Sequence, residues 1–161
     1  MSFFRWCMVP AVMMFLLSSW TLGDDKTGSA SPAYRVLGND RGRVAIVDSD
    51  GKAEWEYKSG FDGHDISLLP NGNVLLATGP ARIAEVNRDK KIVWQYESKP
   101  KKGYKGRVEV HAFQRLDDGR TMIAESGNRR IIEVDNDGKI VHEVHLTVEK
   151  PDPHRDTRMA R

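Results

Sequence analysis

The chain nearly repeats itself. His64-Asp-Ile-Ser-Leu-Leu-Pro-Asn-Gly-Asn-Val-Leu-Leu-Ala77 returns as His111-Ala-Phe-Gln-Arg-Leu-Asp-Asp-Gly-Arg-Thr-Met-Ile-Ala124, with His111 standing 47 residues after His64. Arg82-Ile-Ala-Glu-Val-Asn-Arg-Asp89 and Arg130-Ile-Ile-Glu-Val-Asp-Asn-Asp137 continue the repeat at a spacing of 48, so the second copy carries one extra loop residue. Self-similarity at this period marks an architecture built from stacked supersecondary units rather than one irregular core.

Each unit reads as strands. The first full copy breaks into short alternating or β-branched apolar runs over residues 65–69, 74–78, 83–86 and 92–96, with no helical period long enough to compete. Pro70-Asn71-Gly72 and Asp117-Asp118-Gly119 are hairpin signals, because Asn, Asp and Gly tolerate the positive φ of a tight turn. Asn87-Arg-Asp-Lys90 and Asp135-Asn-Asp-Gly138 join the third and fourth runs, and Asp48-Ser-Asp-Gly51 matches them upstream. That match reveals a partial copy with runs at 34–37, 44–47 and 53–57 and no first strand. Asp50-Gly51 and Asp137-Gly138 open like a calcium loop but lack its later ligands, so turn chemistry explains them.

Units of four antiparallel strands predict an all-β fold of β-propeller blades, each burying its faces against two neighbours. A partial blade (34–58), two full blades (64–97 and 110–146) and the start of another (157–161) make about three blades' worth. Closed propellers generally have about 4–8 blades. The expectation is therefore an incomplete ring, closed by further blades or by self-association. A step of 47 from His111 lands on Arg158, where a ring-completing first strand is expected to begin.

Residues 1–23 read as an export signal: Arg5 supplies the positive start, 6–17 are apolar, and Thr21-Leu22-Gly23 offers small residues for cleavage. The apolar run is too short to span a bilayer, so no membrane span is expected after cleavage, and the address is periplasmic or secreted. Residues 24–33 form a linker. The lone Cys7 lies in the signal, which leaves the mature chain without thiol or disulfide chemistry. Of 25 basic residues one is Arg5, so 24 face 23 acidic ones, and this near-neutral balance gives no reason to expect a nucleic-acid partner. Lys99, Lys101, Lys102, Lys105 and Arg107 crowd one connection around Tyr104, the composition of a solvated loop or of an acidic-ligand patch.

His64-Asp65 with Leu69-Pro70-Asn71-Gly72-Asn73-Val74-Leu75, and Asp48-Ser-Asp50-Gly51-Lys52-Ala-Glu-Trp55 with its echo Asn87-Arg-Asp89-Lys-Lys91-Ile-Val-Trp94, carry a resemblance. The pattern resembles the PQQ-like β-propeller superfamily and, within it, proteins related to bacterial arylsulfotransferases. That resemblance implies transfer of sulfate between phenols, with a channel histidine as nucleophile and arginine or histidine on the sulfate oxygens. His64 and His111 are the candidates, since neutral imidazole is nucleophilic. A PQQ-dependent quinoprotein is the other implied activity, but the paired cysteines and acidic base of such a site are missing, so no cofactor is expected.

From the residues alone, blade geometry puts His64, His111 and Arg158 on one rim, with Arg82, Arg129 and Arg130 on neighbouring loops suited to an anion. Trp55 and Trp94 occupy the same place in the last strand of two blades and suit docking onto the next blade. The third copy has His142 there. No P-loop, zinc signature or nucleophile elbow occurs, and no metal site is expected. The combined expectation is a non-catalytic exported module that binds a protein partner or a small anion, with the sulfotransferase as alternative.

Overall fold

The structure, a computed structural model, describes residues 34–161. The expected export signal and linker, with Arg5 and Cys7, lie outside the described residues.

Eleven strands account for all regular structure among the described residues. β1 (Val36–Asp40), β2 (Arg43–Val47) and β3 (Ala53–Lys58) form a three-stranded sheet in that order. β4 (Ile66–Leu68), β5 (Val74–Gly79), β6 (Arg82–Val86) and β7 (Ile92–Glu97) form the second sheet, and β8 (Glu109–Arg115), β9 (Thr121–Ser126), β10 (Arg130–Val134) and β11 (Ile140–His145) the third. All neighbours are antiparallel and sequential, as short hairpin connections require.

The three sheets share local devices, not only strand order. The register slips between Ile46 and Val47, between Glu85 and Val86, and between Glu133 and Val134, one bulge per sheet before the same turn. In that turn Asp48, Asn87 and Asp135 each accept the amide four residues on, at 2.8, 2.9 and 2.9 Å. Gly51 and Gly138 supply the left-handed residue that closes it, and in the middle copy Lys90 takes that conformation at φ 65°. A side chain that bonds its own turn explains the Asp-x-Asp-Gly repeat without calcium.

Packing follows the period of two. Leu75, Ala77 and Ile83 on one face of the second sheet meet Val110, Phe113, Ile123 and Ile132 of the third. Val74, Leu76, Ala84 and Val86 on the other face meet Val44, Ile46 and Trp55 of the first. The middle sheet is thus sealed on both sides. Trp55 lies buried in the first interface, while half-buried Trp94 donates its indole N–H to the Asn136 carbonyl of the third sheet at 3.1 Å. His142, at the same place in β11, is exposed beside Glu133. The outward faces of the flanking sheets carry apolar side chains too, Val36 on one and Val144 on the other.

The expected ring-completing strand is not formed among the described residues: the chain beyond Val148 runs through bends and turns, and the first sheet has three described strands. Pro151 and Pro153 have no N–H to offer a ladder. The segment docks instead through Ser126, whose hydroxyl meets the Asp156 carbonyl and the Thr157 hydroxyl, and through Arg161, which grips Asp65 at 2.9 and 3.0 Å.

The basic connection between β7 and β8 is pinned. Buried Asn128 donates to the Lys99 carbonyl and accepts from the Lys101 amide, at 2.9 and 3.0 Å, and the Tyr104 hydroxyl donates to the Arg107 carbonyl at 2.8 Å. Gly127 lies beneath that carbonyl at φ 82°, where any Cβ would strike it.

Candidate functional site

Three histidines from three separate segments converge at one end of the sheets. His64 precedes β4, His111 sits at the register slip between Val110 and Ala112 in β8, and His154 belongs to the docked C-terminal turn. A bulge re-aims the side chain it carries, and here it turns His111 toward its neighbours. The His64 and His111 ring centres are 5.0 Å apart, and those of His111 and His154 5.7 Å. Together with Phe61, Pro80, Arg107 and Glu109 they line a cleft of about 310 Å³.

Glu109 organises the cleft. Its Oε1 lies 2.9 Å from Arg107 Nε, and its Oε2 lies 2.9 Å from His154 Nδ1 and 3.4 Å from His111 Nε2. The last contact lacks hydrogen-bond geometry, so the Nε2 of an almost wholly buried ring has no partner among the described residues. Burial holds the His111 pKa below the ordinary histidine value, and the neighbouring His64 lowers it further, against the opposing pull of the Pro153 backbone and Glu109. His111 is therefore a neutral imidazole at physiological pH, with a lone pair to offer.

The residues expected on the rim fall into two groups. Arg158 lies against His154: it donates to the His154 carbonyl at 2.9 Å, its charge is felt by His111, and it forms no ion pair among the described residues. Arg130 is buried and held by Glu125 and Glu143, at 2.5 and 2.7 Å. Arg82 faces Glu97 at 3.6 Å on the outer side of its sheet, and exposed Arg129, at φ 52°, serves the β9–β10 turn, where its carbonyl accepts Leu146 N–H at 2.8 Å. The structure thus leaves Arg158 beside the histidines, and the other three do not join it. Asp65, next to His64, is saturated by the Phe113 amide at 3.0 Å and by Arg161.

His154, Glu109 and Arg161 were not expected. Glu109-Val-His111 puts the carboxylate two residues before the histidine, a signal visible in the chain. His154 was concealed because it follows His111 by 43 residues, short of the 47-residue step.

Comparison with solved structures decides the architecture. A protein of unknown function from Bacteroides caccae matches 77% of the chain at 21% identity and a TM-score of 0.60, and the chain covers 44% of that protein. The WD40 β-propeller domain of Doa1 matches 70% at 11% identity with a TM-score of 0.56, over 36% of its own length. The fold is that of β-propeller blades. Virginiamycin B lyase from Staphylococcus aureus is similar over 71% of this chain, at 15% identity and a TM-score of 0.53. The matched stretch covers 39% of that lyase, and in all three of these structures it covers less than half of the other chain. No family model matches the chain, and no curated protein matches it. Among the described residues no helix is long and apolar enough to cross a membrane.

Proposed function

We propose that the protein is an exported module of propeller blades that binds a small anion in the cleft of His64, His111 and His154 without transforming it. One observation carries this reading. The Arg107 and Arg161 guanidiniums are neutralised by Glu109 and Asp65, whereas Arg158, bonded to the carbonyl of the cleft's His154, has no carboxylate partner among the described residues, and the buried His111 of the same cleft has a free nitrogen. A guanidinium and imidazoles around a recess suit sulfate, phosphate or carboxylate. The apolar outer faces of the first and third blades suit further blades or a second copy, consistent with a cleft that forms part of a larger rim.

Isothermal titration of sulfate, phosphate and benzoate tests the reading. The expected result is saturable binding of at least one of them, weakened at least tenfold by Arg158→Ala. Failure of all three to bind, or equal binding by the variant, overturns it.

A second reading has its own support in the unprotonated His111. In an arylsulfotransferase-like reaction the sulfuryl group would pass from the aryl oxygen to an imidazole nitrogen, releasing a phenolate. An acceptor phenol would then take the group from nitrogen as its own proton departs. Sulfate transfer from a chromogenic aryl sulfate to phenol, abolished by His111→Asn or His64→Asn, would replace binding with catalysis. No turnover by the folded chain leaves the binding reading in place.

A further inference from the structure

We propose that Glu109, His111 and His154 form a site for a divalent transition-metal ion such as zinc. The three donor atoms, Glu109 Oε2, His111 Nε2 and His154 Nδ1, all lie within 4.8 Å of one another. Two of the separations are 2.9 and 3.4 Å. Ligand bonds of about 2.0–2.2 Å at tetrahedral angles put neighbouring donors about 3.3–3.5 Å apart, so these atoms need only small shifts to close around an ion. Two imidazoles and one carboxylate are a donor set suited to zinc and its neighbours in the first transition row.

The second observation is independent of that spacing. His111 is only 4% exposed, yet its Nε2 has no hydrogen-bond partner among the described residues. A buried polar atom is seldom left so, because the lost hydration is not regained. The remaining oxygen of Glu109 is held by Arg107 Nε at 2.9 Å. A donor behind the carboxylate is the kind of support that orients a metal ligand.

His64 lines the same cleft, and Arg158 is bonded to the His154 carbonyl. One carboxylate leaves a bound divalent ion with a surplus positive charge, and that charge adds to Arg158 in drawing an anion. The site deepens the anion-binding reading and rests on it only in sharing the cleft. No zinc signature showed it, because one ligand arrives from a segment whose place is set by the Ser126 and Asp65 contacts.

The test is a titration of the full chain, stripped with a chelator, with Co2+ followed by visible absorption and with Zn2+ by calorimetry. The expected result is one ion per chain with low-coordinate cobalt bands. His154→Ala, at an exposed position that leaves the blades intact, is expected to lower affinity at least tenfold, and His111→Asn to lower it further, with circular dichroism confirming the fold. His142→Ala and His145→Ala, exposed histidines away from the cluster, should bind like the parent. Absence of stoichiometric binding, equal affinity in His154→Ala, or equal losses in the His142 and His145 variants overturns the site. Sulfate is then titrated into the stripped and the zinc-loaded chain. Metal uptake without sulfate uptake retires the anion reading alone, and sulfate uptake by a chain that takes no metal retires the metal site alone.

Discussion

Glu85 and Glu109 are both almost wholly buried carboxylates, one at each end of the sheets, and they differ in what surrounds them. Glu85 Oε1 accepts from Asn71 and Asn73, at 3.1 and 2.6 Å, and Oε2 accepts from Arg115 at 2.7 Å. Arg115 in turn gives a hydrogen bond to the Gly119 carbonyl and lies 4.8 Å over the Trp94 ring. Nothing in that network is short of a partner. Glu109 has Arg107 on one oxygen and two imidazoles crowded onto the other, and one imidazole nitrogen is left over. The Glu85 end has the larger recess, about 600 Å³. Bonding capacity, rather than size, separates a carboxylate that holds blades together from one able to receive a ligand.

The sharpest way to break this contrast is Arg115→Ala. It strands a buried carboxylate and should cost about 3–5 kcal/mol in urea unfolding. A cost under about 1 kcal/mol would show that the Glu85 network is not structural. Asp65→Ala comes next: Asp65 borders the cleft but is saturated, so it should behave like Glu85 and lose about 2 kcal/mol through the Phe113 amide. Glu109→Gln in metal-free protein should cost only about 1 kcal/mol, since the amide keeps an oxygen for Arg107, while ligand affinity collapses. If Glu109→Gln destabilises as much as Arg115→Ala, the two ends do not differ.

A smaller effect sharpens the comparison through pH. His111 titrates lower in the folded chain than in the unfolded one, so below pH ~6.5 the unfolded chain binds more protons. Stability of chelated protein is thus full above that pH and falls as pH drops toward the folded-state pKa. His111→Asn should flatten this slope in urea midpoints measured from pH 7.5 to 5, and an unchanged slope would assign the acid sensitivity elsewhere.

Strands, turns and the meeting of His64 with His111 were legible because each is written twice or three times. Most bounds moved by a residue, and the first strand moved furthest, from 34–37 to Val36–Asp40, since its hairpin turns at Arg41-Gly42, both at positive φ. The partners of the arginines were not legible. Periodicity puts Arg130 near the rim but does not say that Glu125 stands across the ladder on one side and Glu143 diagonally on the other. His154 escaped because the connections between blades differ in length. His64 follows the end of β3 by six residues, His111 the end of β7 by fourteen, and His154 the end of β11 by nine. A fixed step holds within a blade, where strand length is set by packing, and drifts between blades, where loop length is free.

Gly127 gives the cleft a dependence on a residue that touches none of its ligands. The Arg107 carbonyl occupies the volume a methyl group would need, so even alanine there would lift the connection that carries Arg107 to Glu109. In a family of homologues this glycine and the Glu109–His111 pair would be inherited together, and a directed-evolution library randomised at position 127 would return glycine whenever it is selected for ligand capture.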